Sequence, residues 1–295
     1  MTQLAPSPGP LVETEAQAHL SPTPRLSKAT RARPIVKWAG GKTRLLDDLI
    51  SRLPAQYERY FEPFFGGGAL FYALQPDRAF LSDVNYELVL LYRCVRDALP
   101  ALVAELQHHP YEKEHYYWMR SRDPETLTDV ERAARTLYLN RTCFNGLYRV
   151  NRRGQFNVPM GRYSNPVICD EAKLQRASEA LSRAALTHAG FDDTMTAPKS
   201  GDFVYFDPPY QPLSKTANFT SYTSGSFDEE DQARLADTVT DLANRGVHCM
   251  LSNSDTPLIQ SLYKDFRIDI VMAPRLISRK ASNRRPVREV IVRTY

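Results

Sequence analysis

Short apolar runs and longer stretches of helical spacing take turns along most of this chain. Tyr60-Phe61-Glu62, Ala79-Phe80-Leu81-Ser82 and Phe203-Val204-Tyr205-Phe206 have strand length, and further strand patterns lie at 185–189, 247–252, 267–272 and 289–294. Helical spacing covers 87–107, 112–120, 128–140 and 171–184. Pro100 must kink or restart the first of these helices. Asp228-Glu229-Glu230 places acidic side chains where the positive end of a further helix favours them. Strands alternating with helices predict an α/β fold, a mostly parallel open sheet with both faces covered.

The pattern changes between Cys143 and Tyr163. Leu147-Tyr148-Arg149-Val150 and Gln155-Phe156-Asn157-Val158 flank Asn151-Arg152-Arg153-Gly154, which predicts a hairpin with a glycine-containing loop. Its wealth of arginine, asparagine and aromatic residues makes it a poor core element. It marks residues 96–170 as an inserted recognition domain, flanked by a catalytic domain made of 34–95 and 171–295. Residues 1–33 hold prolines at 6, 8, 10, 22 and 24 among small and polar residues and read as a disordered extension.

The 295 residues are 42% hydrophobic and 24% charged, ample for a sizeable core, with a formal charge of only +4. The placement of charge says more than its sum. Residues 135–169 contain six arginines and no acid, and residues 275–288 contain six basic residues and no acid. Two such patches suit a polyanion. The four cysteines form no Cys-x-x-Cys pair, so a zinc site or a disulfide scaffold is not indicated, and reduced thiols in a cytoplasmic protein are expected. No apolar stretch approaches bilayer length, and the N-terminus lacks the features of a secretion signal.

The chemistry concentrates in Asp207-Pro208-Pro209-Tyr210, directly after a buried-strand pattern. Two prolines exclude helix and stiffen the loop. The Asp207 carboxylate and the Pro208 carbonyl can accept the two hydrogens of an exocyclic amine, while Tyr210 can stack on a flat ring. A second constellation is Pro63-Phe64-Phe65-Gly66-Gly67-Gly68, followed fifteen residues beyond Gly68 by Asp83 at a predicted strand end. Glycines permit a tight turn and close ligand approach, and an acid there can bind two ribose hydroxyls. A nucleoside-containing cofactor is indicated, without the full dinucleotide fingerprint. Gly40-Gly41-Lys42-Thr43 imitates the end of a phosphate-binding loop, but the required first glycine falls on Val36, which rejects an ATPase.

The ordered set of segments resembles the Dam-like DNA adenine-N6 methyltransferases, D12-class enzymes of the alpha group acting on GATC. The set is Lys37-Trp38-Ala39-Gly40-Gly41-Lys42, residues 61–70, Asp83, residues 140–149, residues 156–163, Asp207-Pro208-Pro209-Tyr210 and Ala217-Asn218-Phe219-Thr220. The likeness covers residues 34–295 and implies a Rossmann-like methyltransferase sheet. The implied cofactor is S-adenosyl-L-methionine (AdoMet), leaving as S-adenosyl-L-homocysteine (AdoHcy). It implies that Trp38, Ala39, Gly40 and Lys42 line the methionine end of the cofactor site, with Pro63, Phe64, Gly66 and Gly68 beside it. Asp83 would hold the ribose, Phe191 the cofactor adenine, and Asp207 would face both cofactor and substrate.

The implied partner is double-stranded DNA, bound by a monomer that is nucleoid-associated when on DNA; neither metal nor membrane is expected. The target adenine would leave the stack and have its amine held by Asp207 and Pro208, with its ring on Tyr210. By the same resemblance Leu147, Arg149 and Pro159 read bases, Lys37 and Tyr163 serve the first guanine, and Phe144, beside Asn145, wedges into the duplex. Arg141, Asn151 and Arg284 meet DNA, Arg141 and Asn151 at phosphates. The stretch from Ser282 to Pro286 departs from a glycine-rich loop common in relatives. The alternatives are an adenine methyltransferase with another DNA target or an RNA substrate, and a catalytically silent DNA-binding module.

Overall fold

The computed structural model describes residues 31–213, 227–273 and 287–295. Arg284 and the stretches 217–220 and 282–286 singled out in the sequence lie outside the described residues, as does most of the predicted extension. Ala32 already packs in the core, two residues ahead of Pro34.

The chain enters through α1 (Leu46–Ile50), β1 (Tyr60–Glu62), α2 (Ala69–Leu74) and β2 (Ala79–Asp83). A helical stretch follows: α3 (Tyr86–Asp97), α4 (Leu99–Gln107), α5 (Lys113–Ser121) and α6 (Asp129–Thr142). Pro100 stands in the first turn of α4, where its missing N–H costs nothing, so the predicted helix over 87–107 divides there. The start of α6 is set by Thr128 and Glu131, each bonding the other's backbone N–H.

The chain resumes with α7 (Glu171–Leu181), β3 (Ala184–His188), α8 (Phe191–Thr194) and β4 (Phe203–Phe206). It ends with α9 (Glu229–Asn244), β5 (His248–Ser254), α10 (Pro257–Leu262), β6 (Arg267–Ala273) and β7 (Val287–Arg293). Asp228 caps α9, accepting from the N–H groups of Glu230 and Asp231.

The seven strands form one sheet in the order β3-β2-β1-β4-β5-β7-β6. Six point the same way, and β7 alone of the seven lies antiparallel, between β5 and β6. Strand alternation loads both faces. Phe203 and Tyr205 enter the core on one side, with Leu70, Leu91 and Leu137, while Val204 and Phe206 enter the other, with Leu235, Val239 and Ile259. From β1 the chain winds outward to β2 and β3, then returns to β4 beside β1. The β1–β4 boundary is therefore the point where strand order reverses, and the crevice beyond its carboxyl ends is where open α/β sheets bind ligands.

Residues 144–163 form a ribbon instead of two regular strands. The bridge between Val150 and Phe156 and the bonds Asn157 N–H to Arg149 O and Asn151 N–H to Gln155 O close it. Contrary to the reading of a poor core element, Phe156 and Val158 are buried with Tyr116, Tyr138 and Cys143 in a core of their own. Helices α4 and α6 contribute Leu102, Leu106, Ala133 and Leu137 to the main core.

Candidate active site

Three segments converge beyond the carboxyl ends of β1 and β4. The first is the loop Asp207–Tyr210, held through the Asp207 and Tyr210 side chains, the Pro209 carbonyl and the following Gln211 N–H. Asp207 Oδ1 accepts from Ser252 Oγ at 3.1 Å and from Lys42 Nζ at 2.6 Å. Gln232 Nε2 donates to Pro209 O at 2.9 Å, Gln211 N–H donates to Asn253 Oδ1 at 3.0 Å, and Tyr210 OH donates to Glu289 at 2.9 Å. Asn253 and Gln232 are themselves bonded at 3.0 Å, so β5 and α9 brace the loop together. Such bracing fixes a group within a small volume before any substrate arrives.

The second segment is the glycine turn after β1. Asp83, at the end of β2, accepts from Gly66 N–H and Asn85 N–H, both at 2.8 Å. Each carboxylate oxygen keeps lone-pair capacity for a further donor. Gly68 has φ 64°, and a Cβ there would lie 2.5 Å from the Phe65 ring, so only glycine makes this turn. Trp38 packs on the turn, its ring 3.0 Å from the position of a Gly66 Cβ, and meets the Tyr148 ring of the ribbon at 5.2 Å, tilted by 32°. Pro63 is buried and Phe64 half-buried beside it. Phe191 is 5% exposed, its ring meeting Phe64, Phe227 and Arg234 in the core.

The third segment, Lys37 to Lys42, ties these to the ribbon. Asn140, 2% exposed, accepts from Lys37 N–H at 2.9 Å and donates to Lys37 O at 2.8 Å and Gly146 O at 3.2 Å. A Cβ on Gly146 would strike the Lys37 side chain at 2.5 Å. The Lys37 ammonium lies 4.9 Å from the centre of the Tyr163 ring, whose hydroxyl donates to Cys143 O. Ala39 and Gly40 form the turn that carries the chain to Lys42, whose Nζ also donates to Gly40 O at 2.5 Å. Lys42 is 6% exposed, and its ammonium sits 4.4 Å from the centre of the Tyr210 ring.

Burial dominates the electrostatics here. It raises the Asp207 carboxyl above its ordinary range, against the pull of Lys42 and Ser252. Burial likewise raises Glu289, Asp83 and, further still, Glu62, whose carboxylate accepts from Tyr60 OH at 2.8 Å. It also pushes the thiols of Cys143 and Cys249 up to about 12, which leaves them inert as nucleophiles. Among the described residues no cluster of His, Cys, Asp and Glu could hold a metal, and no helix is long and apolar enough to cross a membrane.

On the recognition side the structure brings the exposed Phe144, Asn145, Arg149 and Pro159 to the rim of the ribbon. Asn145 stands at φ 57°, in the left-handed region, and the turn around it leaves Phe144 50% exposed. Arg149 Nε donates to Asn157 Oδ1 at 2.7 Å, and Leu147 packs half-buried on the ribbon core. Two residues expected at phosphates sit less openly. Asn151 uses its amide within the loop, donating to Gln155 and accepting from the N–H groups of Arg153 and Gln155, so it shapes the ribbon and keeps one amide hydrogen for a further acceptor. Arg141 is half-buried; its Nε has no partner among the described residues, and burial weakens its charged form.

Ser252, Asn253, Gln232, Glu289 and Asn140 escaped the sequence reading. The signal for the first two was present: Ser252-Asn253-Ser254 ends an otherwise apolar buried strand and stays buried. Glu289 reads as an ordinary outward position, and Gln232 as one more polar residue of an amphipathic helix.

This fold and site carry the marks of a nucleoside-dependent group-transfer enzyme, and comparison with known proteins fixes the class. The family profile described as D12 class N6 adenine-specific DNA methyltransferase matches residues 38–275, and the chain belongs to that family. It is similar to the Type II methyltransferase M1.LlaDCHI of Lactococcus lactis subsp. cremoris, with 46% identity over 89% of this chain and 95% of the relative. It is also similar to the Type II methyltransferase M.MjaIII of Methanocaldococcus jannaschii, at 40% identity over 89% of this chain and 99% of the relative. The DNA adenine methylase of Escherichia coli (strain K12) is 38% identical over 88% of this chain and 94% of the relative. Membership implies a DNA substrate and a methyl donor of the S-adenosylmethionine type. The glycine turn, the lone pairs left on Asp83 and their place at the reversal of strand order fit such a donor.

Proposed function

We propose that this enzyme methylates N6 of an adenine turned out of duplex DNA, in the sequence 5′-GATC-3′, with AdoMet as donor. The observation that carries the reading is the braced Asp207–Tyr210 loop, an acceptor and an aromatic ring fixed together at the switch point of the sheet. Trp38, Gly66, Gly68 and Asp83 would hold the donor, which supplies an electrophilic methyl group when bound. Adenine N6 is a poor nucleophile because its lone pair is delocalised into the ring. Asp207 and the Pro208 carbonyl accept its two hydrogens and draw the nitrogen towards pyramidal geometry, which localises the pair. Tyr210 supplies a stacking surface that offsets part of the few kcal/mol of unstacking. Asp207 or water then takes the proton that the methylated amine sheds.

Arg149 is suited to a bidentate guanine contact and Lys37 over Tyr163 to a second guanine, with Leu147 and Pro159 meeting a thymine methyl. The exposed Phe144 ring would fill the place of the departed base. A second reading, a different DNA target within the same chemistry, is favoured by the 46% relative being a Type II methyltransferase, a name that also invites a restriction–modification role. The test is methylation of a randomised duplex library with labelled AdoMet, read at base resolution. Label on N6 of adenine confined to GATC supports the proposal. Label at another motif moves the target, and no label on any duplex removes the activity.

A further inference from the structure

Asp207 and Tyr210 already hold an amine in this structure, and it is Lys42's own. Its Nζ lies 2.6 Å from Asp207 Oδ1 and 4.4 Å from the centre of the Tyr210 ring, with a third hydrogen directed at Gly40 O. A nitrogen donor on the carboxylate and cover over the ring face are what an incoming adenine has to supply, and the ammonium occupies both places. We propose that Lys42 is a built-in stand-in for the target base, and that adenine enters by displacing its ammonium from Asp207 and Tyr210. The proposal rests on the assignment of those two residues to the target base.

The arrangement has a chemical logic. Asp207 and Glu289 both feel the Lys42 charge, which opposes the rise that burial imposes on each carboxyl. A flexible four-carbon stem lets the ammonium leave without backbone movement. Adenine is neutral, so once it takes the lysine's place Asp207 holds the amine with a charge no longer neutralised by Lys42, and its pull on the amine hydrogens strengthens. The lysine therefore shields the acceptor while the pocket waits and releases it when a base arrives.

The probe is 2′-deoxyadenosine 5′-monophosphate, titrated by NMR into AdoHcy-saturated enzyme at alkaline pH, so that loss of the lysine does not leave Asp207 protonated. An internal competitor that fills a pocket nine-tenths of the time weakens apparent affinity about tenfold. Lys42→Met, and Lys42→Gln as a second neutral side chain should the first fold poorly, are expected to bind the nucleotide about tenfold more tightly than wild type. The resemblance puts Lys42 at the methionine end of the donor site, but its ammonium is engaged by Asp207 and Tyr210, so AdoHcy affinity should stay within about twofold. Variants that bind the nucleotide no better than wild type, including no binding by any of them, overturn the proposal. Weakened AdoHcy binding with unchanged nucleotide binding also overturns it and assigns Lys42 to the cofactor. A wild-type enzyme that methylates no duplex would refute the functional reading while this comparison of pocket affinities still stands.

Discussion

At the scale of single residues, Asp207 combines a raised pKa with a fixed position. A carboxyl whose pKa is raised keeps its proton to higher pH, and in that form it lacks the charge that strengthens its hold on an amine's hydrogens. Single-turnover methylation is therefore expected to fall as pH is lowered through a value above the ordinary carboxylate range. Asp207→Ala should lower the single-turnover rate about a hundredfold or more, while donor binding measured by calorimetry largely survives. Near-normal transfer at saturating DNA and donor would remove Asp207 from the chemistry. Arg149 makes a different kind of prediction. It is exposed and steadied by Asn157, so Arg149→Ala should narrow the preference for the cognate site by about 1–3 kcal/mol. Methylation of every one-base variant, with binding across a salt series, checks this. Uniform weakening on all duplexes with a shallower salt slope would place Arg149 on the phosphate backbone instead.

Elements explain how far the sequence could be read. The strands ending at Asp83 and Asp207 were legible because fully buried parallel strands leave unbroken apolar runs, and their polar terminators stand out. Helices α1, α8 and α10 span six residues or fewer, too short to show a period, and none was foreseen. The ribbon was recognised, but its own core was not, because Phe156 and Val158 gain burial only when α5 and α6 fold against them. The site was legible in its loops and illegible in its braces: Asp207 and Tyr210 announce themselves, whereas Ser252, Glu289 and Asn140 acquire a role only through contacts with residues far away in the chain. Asn140 is the sharpest case. Its amide closes three bonds between α6, Lys37 and Gly146. Asn140→Ala leaves those buried groups unpaired and should lower stability by about 2–4 kcal/mol, read from the denaturant midpoint. An unmoved midpoint would show that water replaces the clamp at no cost.

For the molecule as a whole, buried ionisable groups pull stability in opposite directions with pH. The raised carboxyls bind protons more tightly in the folded state, which favours folding as pH falls towards the ordinary carboxylate range. His109 acts the other way. It is enclosed between Tyr138 and His115, and burial depresses it to about 4. The unfolded chain therefore takes up a proton first, and stability is lost as pH drops from about 6.5 towards the folded value. Below that value both states are protonated and the loss stops growing. His109→Phe removes this contribution. The stability difference between wild type and variant should drift in the variant's favour by about 2–3 kcal/mol across that window. A difference that stays constant with pH would show that His109 titrates normally.

The place of β7 has a consequence for the making of the protein. It is the last strand in chain order, yet it lies inside the sheet between β5 and β6 and delivers Glu289 to the Tyr210 hydroxyl. A chain emerging from the ribosome can fold its first five strands in sequence, but β6 has nothing to dock on until residues 287–293 arrive. Between residue 163 and residue 289 of synthesis the ribbon exists without the finished loop that Glu289 braces. On the proposed function, the means to methylate DNA is thus completed after the surface that would bind it.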